Sequence, residues 1–342
     1  MNIFDDYDKQ FPNLIMDILH YFDLCRPTNG ESINDRTVLK FSQQYKKPDG
    51  QFTVNPQIVV RICDQLCQKY LMERIKIADA LGFGNSYLFN SSRISNWNES
   101  KNRWNFFYSS AVYGMEYIYR YYKNIVIPII SQNDEGDISL GTGFKLFGGI
   151  VTAKHCIEDP KHIFIEGYSI EDLKNSEVFV SRKYSDIDIA FIDLQRKEVH
   201  EVFIDEGKIL QDVLVMGYPK IPTFTSFITA EKATISAKAE ARLTPTKGAI
   251  ASLAKNIFAK VELMLITAKI RGGNSGGPII NDEGSIVGVA CQQPFYDDDE
   301  VGKYDDLGYG IAIPIKYLLN ILNGDKETLT LAQDFFTENI YN

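Results

Sequence analysis

The spacing of apolar positions changes character along the chain. Up to residue 123 they recur at helical intervals. Leu14, Ile15, Ile18, Leu19 and Phe22 form one stripe and predict a helix over 13–24, with a second over 34–45. Lys47-Pro48-Asp49-Gly50 predicts a turn. A third helix opens with Asn55 as N-cap and Pro56 in the first helical position, and runs to residue 71 with Val59, Ile62, Cys63, Leu66 and Tyr70 inward. Short extended segments follow over 73–78 and 86–90, around the loop Gly82-Phe83-Gly84-Asn85.

Three helices followed by a β-ribbon resemble a winged helix-turn-helix domain over residues 10–92, within a first region of 1–103. On such a fold Arg61, Asp64, Gln65, Gln68 and Lys69 form the outward face of the third helix, suited to a DNA groove or to solvent.

Residues 104–122 contain nine aromatics, with Tyr108, Val112, Met115, Tyr119 and Tyr122 on one helical stripe and others off it. This predicts a connector helix over 104–123, packed on two sides. After residue 123 the pattern shortens to β-type runs at 125–130, 142–147, 150–152, 163–166, 178–180, 189–193, 213–216, 279–280, 286–290 and 310–313. Many short strands between turns indicate an all-β barrel or sandwich. A closing helix over 315–322 and an acidic stretch over 326–342 complete the chain.

Composition narrows the function classes. The 342 residues are 44% hydrophobic and 24% charged, which is ordinary for globular protein. The longest apolar run, 125–130, is far too short to span a bilayer, and the acidic start Met1-Asn2-Ile3-Phe4-Asp5-Asp6 lacks the basic-then-apolar order of an export signal, so a cytoplasmic protein is expected. Five cysteines, an odd number, suit reduced thiols. Cys63 and Cys67, one helical turn apart, read as core residues; with Cys25 and His20 they also offer a set of zinc ligands. Nothing else calls for a cofactor. Residues 1–125 hold 15 Lys and Arg against 13 Asp and Glu, whereas the remainder holds 21 against 32. The second region therefore repels polyanions, and any nucleic acid belongs on the first.

The chemistry sits in three motifs. Gly272-Gly273-Asn274-Ser275-Gly276-Gly277-Pro278 puts a serine on a glycine turn, where its hydroxyl is exposed and the N–H groups of Gly273 and Ser275 can face a developing oxyanion. Ile150-Val151-Thr152-Ala153-Lys154-His155-Cys156 ends an apolar strand in a histidine, one of four in the chain. Ser185-Asp186-Ile187-Asp188-Ile189-Ala190-Phe191 heads a buried strand with acids able to hold an imidazole tautomer.

In the order His, Asp, Ser these motifs resemble the trypsin-like serine peptidases of the chymotrypsin superfamily, and their wording is similar to the HtrA/Deg branch. Gly141-Thr142-Gly143-Phe144, Met216-Gly217-Tyr218-Pro219, Gly284-Ser285-Ile286-Val287-Gly288-Val289 and Tyr309-Gly310-Ile311-Ala312-Ile313-Pro314 extend the resemblance over residues 124–323. It implies a chymotrypsin-like double β-barrel over 124–325. It also implies Ser275 as nucleophile, His155 as general base and then acid, and Asp188 as orienting carboxylate, with Asp186 second in line. Substrate would run along Cys291-Gln292-Gln293, with Lys269 and Ile270 at the primary pocket. A lysine there favours acidic or polar side chains, unless it turns to solvent.

The chain departs from the family at three points. Asn274 replaces the aspartate that pairs with a new N-terminus in digestive members, Cys156 lacks a disulfide partner upstream, and no PDZ domain follows. Asp297-Asp298-Asp299-Glu300 reads as a solvated loop, with attraction for basic substrates or calcium as alternatives. The resemblance implies a serine endopeptidase acting on a protein or peptide, recruited or gated by its N-terminal region, in the manner of bacterial proteases that serve stress or antiphage defence by limited cleavage of a partner. The alternatives are a DNA-binding regulator whose peptidase-like domain only binds, and an N-terminal adaptor that docks a partner protein. Oligomeric state is not readable.

Overall fold

The computed structural model describes all residues except 1–6, 27–31, 47–53, 98–99, 136–137, 159–161, 198–199, 220–241, 257–260, 293–294, 299–302, 307, 332–333 and 336–342. The expected turn at 47–50 and the residues Gln293, Asp299 and Glu300 lie outside the described residues. The chain divides into two compact units, Met1–Ile118 and Tyr119–Asn342.

The first unit contains helices α1 (Tyr7–Gln10), α2 (Leu14–Tyr21), α3 (Val38–Gln44) and α4 (Pro56–Gln68), the antiparallel ribbon β1 (Glu73–Lys76) and β2 (Ser86–Leu88), and helix α5 (Lys101–Tyr113). Asn55 caps α4 by accepting from Gln57 N at 2.9 Å, and Val59, Ile62, Cys63 and Leu66 are buried along one face. They join Leu14, Ile18, Phe22 and Val38 in a single core. The second predicted helix starts late, at Val38, because Thr37 accepts from Lys40 N and sets the N-cap there. Cys63 lies in the core, Cys67 is half-buried, and Cys25 Sγ donates to Asn90 Oδ1 at 3.5 Å. Among the described residues no group of three or more His, Cys, Asp or Glu is placed to hold a metal ion. On α4, Asp64 is bonded to Arg74 and to Tyr87 Oη, so part of the predicted outward face is tied to the ribbon.

The aromatic segment is two helices where one was expected. Gly114, at φ +73°, ends α5, and α6 (Met115–Tyr122) restarts immediately. The left-handed backbone at Gly114 is incompatible with helix continuation and open to glycine at low cost. Tyr108, Val112 and Tyr113 pack in the first core, whereas Tyr122 is fully buried in the second unit, donating to Gly284 O at 2.7 Å. Tyr122→Ala is expected to destabilise the second unit by about 3–5 kcal/mol, the cost of a large aromatic cavity, which denaturant unfolding of the full chain would register as an earlier transition for that unit.

The second unit is all-β with two short helices, α7 (Ile170–Lys174) and α8 (Lys316–Leu322). Its first half supplies β3 (Val126–Gln132), β4 (Ile138–Leu146), β5 (Gly149–Thr152), β6 (His162–Ile165), β7 (Glu177–Val180) and β8 (Ala190–Asp193). Its second half supplies β9 (Asp212–Gly217), β10 (Thr244–Asn256), β11 (Val261–Ile266), β12 (Pro278–Asn281), β13 (Ile286–Gln292), β14 (Phe295–Asp298), β15 (Lys303–Asp306) and β16 (Gly310–Pro314), followed by β17 (Glu327–Leu329) and β18 (Asp334–Phe335). The second half closes into a six-stranded barrel in the order β10-β11-β16-β13-β12-β9, and the first half is an eight-stranded sheet in the order β17-β7-β8-β5-β4-β3-β6-β18. Each half has its own aliphatic core. This is the all-β, two-part arrangement expected of the second region, and most of its strands come from the apolar runs of the sequence.

Several strands lack a legible pattern. β10 reads as mixed polar sequence, yet pairs with β11 over residues 250–266, and residues 327–329 and 334–335 extend the first sheet. Asp297 and Asp298, expected in a loop, belong to the β14–β15 hairpin. No described helix is long and apolar enough to cross a membrane.

Candidate active site

The nucleophile motif, the histidine and the acid converge at one place in the second unit. His155 sits in a single helical turn, Lys154–Cys156, at the end of β5, where the buried Ala153 redirects the chain. Asp188 lies just before β8, and Ser275 on the turn before β12. His155 Nδ1 meets Asp188 Oδ2 at 2.6 Å, and His155 N donates to Asp188 Oδ1 at 2.9 Å. The carboxylate thus grips both ring and backbone of the same residue, which fixes imidazole orientation as well as tautomer.

Asp186 is exposed and makes no part of this contact. Residues 185–189 lead into β8 without belonging to it. Ile187 N donates to Tyr184 O and Ile189 N to Ile187 O, so the backbone coils here and the two acids do not share a face.

The pair perturbs both protonation equilibria. The hydrogen bond to Asp188, then the one to Cys156, raises the His155 pKa above the ordinary imidazole value against the opposing effect of burial. Burial alone would raise Asp188; the hydrogen bond and positive charge of His155 outweigh it and hold the carboxyl below its usual range. A third donor reaches the same carboxylate. Cys291 Sγ lies 3.0 Å from Asp188 Oδ2, and burial, with the adjacent carboxylate, keeps this thiol protonated. Sequence reading assigned Cys291 to the substrate strand and missed this thiol contact, because no local pattern relates residues 188 and 291. Cys291→Ala is expected to lower kcat by about tenfold or less, the worth of one hydrogen bond from a weak thiol donor, with Cys291→Ser restoring most of it in a peptide-cleavage assay.

Ser275 Oγ donates to the carbonyl oxygen of Cys291 at 2.5 Å. Among the described residues that carbonyl, not His155, is its partner. The N–H groups of Gly273 and Ser275 have no hydrogen-bond acceptor among the described residues, while Asn274, Gly276 and Gly277 all donate to backbone carbonyls. Two unpaired donors beside a serine hydroxyl form an anion-accepting nook.

The Gly141-Thr142-Gly143 motif holds this turn in place. Thr142 N donates to Ser275 O at 2.8 Å, Thr142 Oγ1 donates to Gly273 O at 2.6 Å, and the same oxygen accepts from Tyr218 N at 2.9 Å. Thr152 Oγ1 in turn donates to Thr142 O at 2.7 Å. With its carbonyl pinned to Thr142, the Gly273–Asn274 peptide, between the two free N–H groups, is fixed in orientation. Thr142→Val removes the hydroxyl and strands the buried Gly273 carbonyl, at about 1–3 kcal/mol, together with the N–H of the half-buried Tyr218. We expect kcat to fall by about tenfold to hundredfold with little change in KM.

Gly276 is required for the same approach. A Cβ there would lie 2.0 Å from Thr142 O and 2.5 Å from Thr152 Oγ1, and φ is +87°.

Of the residues expected at a specificity pocket, Lys269 is exposed, with its carbonyl accepting from Thr246 Oγ1 at 3.0 Å, while Ile270 is buried in the barrel core. Gln292 ends β13 opposite Ile311, and its side chain lies outside the described residues.

Residues 141–289, which hold all three motifs, match the family of the trypsin-like peptidase domain. The chain carries a trypsin-like peptidase domain. Its class is serine endopeptidase. The chain is also similar to solved structures. The active form of the Rv3671c protease from M. tuberculosis is 18% identical, with a TM-score of 0.43, covering 64% of this chain and 86% of that one. The serine endoprotease from Yersinia pestis is 21% identical, with a TM-score of 0.41, covering 61% of this chain and 65% of that one. The HtrA-type protease AlgWS227A with tripeptide is 18% identical, with a TM-score of 0.43 and coverage of 60% and 61%. No curated protein matches the chain.

Proposed function

We propose that the peptidase domain, starting near residue 124, cleaves a protein or peptide through an acyl-enzyme on Ser275, with His155 as base and then acid and Asp188 as the orienting carboxylate. The observation that carries this reading is the Asp188–His155 contact beside a serine whose turn leaves two N–H groups unpaired. His155 takes the Ser275 proton as Oγ attacks the scissile carbonyl, the Gly273 and Ser275 N–H groups receive the oxyanion at about 3–4 kcal/mol per donor, and His155 returns the proton to the leaving amine. Water then repeats the sequence and frees the acid.

The Ser275–Cys291 bond makes the first step conditional. Substrate pairing along Cys291–Gln292 places a backbone N–H on the Cys291 carbonyl; that competes with the serine hydroxyl and turns it toward His155. Lys269 plays no part in this reading of the pocket, since its side chain is exposed and Ile270 faces the core.

The helical first unit, with the winged-helix element order, recruits or gates the peptidase, and the setting is cytoplasmic cleavage of one partner in bacterial stress or antiphage defence. Truncation to test gating belongs before Tyr119, because Tyr122 is a core residue of the second unit. Fluorophosphonate labelling of the full chain tests the site: wild type labels, Ser275→Ala and His155→Ala do not. Labelling that survives in His155→Ala at the wild-type rate overturns the reading.

A further inference from the structure

The first unit holds a cleft of about 240 Å³ where the lead-in to β1, the end of β2 and helix α5 come together. Leu24, Leu71, Met72, Leu88, Phe89 and Ile94 form its apolar walls. At its back stands Tyr108, 3% exposed and braced by the rings of Phe89, Trp97 and Phe107. The Tyr108 hydroxyl has no hydrogen-bond partner among the described residues, nor is it sealed off, so the cleft is the space it meets. Buried hydroxyls are ordinarily paired, and this one is a donor available to whatever enters.

The rim carries a second anomaly. Tyr70 N donates to Cys67 O at 3.0 Å and Leu71 N to Leu66 O at 2.9 Å, the pattern that ends a helix on a left-handed residue, usually glycine. Tyr70 adopts that conformation, φ +58°, with 96% of its surface exposed, so no burial offsets the strain. The charged side chains at the mouth are Arg93 and Glu73, both exposed and neither in an ion pair among the described residues. Exposed Lys69 and Arg26, close in the chain to Tyr70 and Leu24, tip the balance to positive. Asn90, the remaining lining residue, has its side-chain oxygen occupied by Ser92. Beside the cleft, β1 pairs only with β2 among the described residues, which leaves its outer backbone edge open.

We infer that this cleft docks an extended, acidic segment of a partner protein that inserts one tyrosine side chain. The ring suits the apolar walls, since an apolar cavity of about 150 Å³ already takes benzene. The inserted hydroxyl meets Tyr108 Oη, Tyr70 covers the ring from outside, and flanking carboxylates meet Arg93. The main chain follows the free edge of β1. A small phenol would leave Arg93 and the strand edge unused, which favours a polypeptide. The inference rests on the recruiting role proposed for the first unit and gives it a surface; it does not depend on the acyl-enzyme chemistry.

The test is direct binding. The full chain carrying Ser275→Ala, which cannot acylate, is titrated into a capped, fluorescein-labelled peptide with tyrosine between Asp-Glu flanks. Companion peptides carry phenylalanine, leucine or alanine at the centre, or lysine in the flanks, and anisotropy reads Kd. Tyrosine is expected to bind about threefold to tenfold tighter than phenylalanine, one hydrogen bond's worth, and lysine flanks to weaken binding about threefold or more. Tyr108→Phe removes a hydroxyl bonded to nothing in the protein, and brings the tyrosine-to-phenylalanine ratio to within about twofold. Arg93→Glu reverses the flank preference. Tyr70→Gly weakens every peptide while the melting temperature holds or rises, because glycine takes the left-handed conformation freely. No binding of the tyrosine peptide overturns the docking site. Binding that all three substitutions leave unchanged also overturns it, and keeps recruitment by the first unit for another surface. Displacement by N-acetyltyrosinamide at equal affinity gives the cleft to a small molecule, displacement by duplex DNA gives it to a nucleic acid, and either overturns the inference.

Discussion

Ser275→Ala and His155→Ala are each expected to lower kcat by roughly six orders of magnitude, and the double variant by no more than either alone. The reason is that the hydroxyl and the imidazole act as one unit. Without Oγ there is no atom to acylate, and without the imidazole a serine hydroxyl is too weak a nucleophile at neutral pH. The remaining rate comes from the Gly273 and Ser275 N–H groups and from substrate binding, which neither substitution touches. Ser275→Ala also removes the hydrogen bond to the Cys291 carbonyl, so substrate binding is expected to be unimpaired or tighter. Single-turnover assays with a peptide substrate, paired with binding measured on Ser275→Ala, check both halves. Losses that multiply in the double variant would show that the two residues act separately.

Asp188→Asn is expected to cost about four orders of magnitude in kcat. The carboxylate accepts from His155 Nδ1, His155 N and Cys291 Sγ. An amide in its place can present an N–H to Nδ1, which puts the imidazole proton on Nε2, the wrong nitrogen to accept from serine. The pH profile carries a second signature. Because Asp188 stabilises the imidazolium, the His155 pKa is raised, and the neutral base that catalysis requires becomes populated only as pH increases. Activity of the wild type is therefore expected to rise with pH through neutrality into the alkaline range. In Asp188→Asn the stabilising charge is gone, the His155 pKa falls, and the residual activity reaches its plateau at lower pH. An unchanged inflection in the variant would show that the ascending limb belongs to another group.

The local parts of the site were legible in the sequence. Tight turns need glycine, so the nucleophile loop stands out, and the strand-to-histidine transition is written in consecutive residues. In the sequence the choice between Asp186 and Asp188 rests on likeness to the family; in the structure the coil at 184–189 leaves Asp186 exposed and sets Asp188 against His155. The tie from Thr142 to the serine turn and the thiol contact of Cys291 on Asp188 were not readable, since they join positions more than a hundred residues apart.

By itself the sequence determined most of the helical and extended segments, that a glycine-bounded serine follows a histidine and an acid, and that the chain changes from α to β near residue 123. These follow from backbone preference and apolar spacing, which act over a few neighbours. Only the tertiary structure decided that β10 and β11 close the barrel, that Gly114 breaks the aromatic segment into two helices, and that the Ser275 hydroxyl rests on the Cys291 carbonyl. Those outcomes depend on which distant surfaces bury each other and which polar groups must then be paired, and no local pattern encodes that competition.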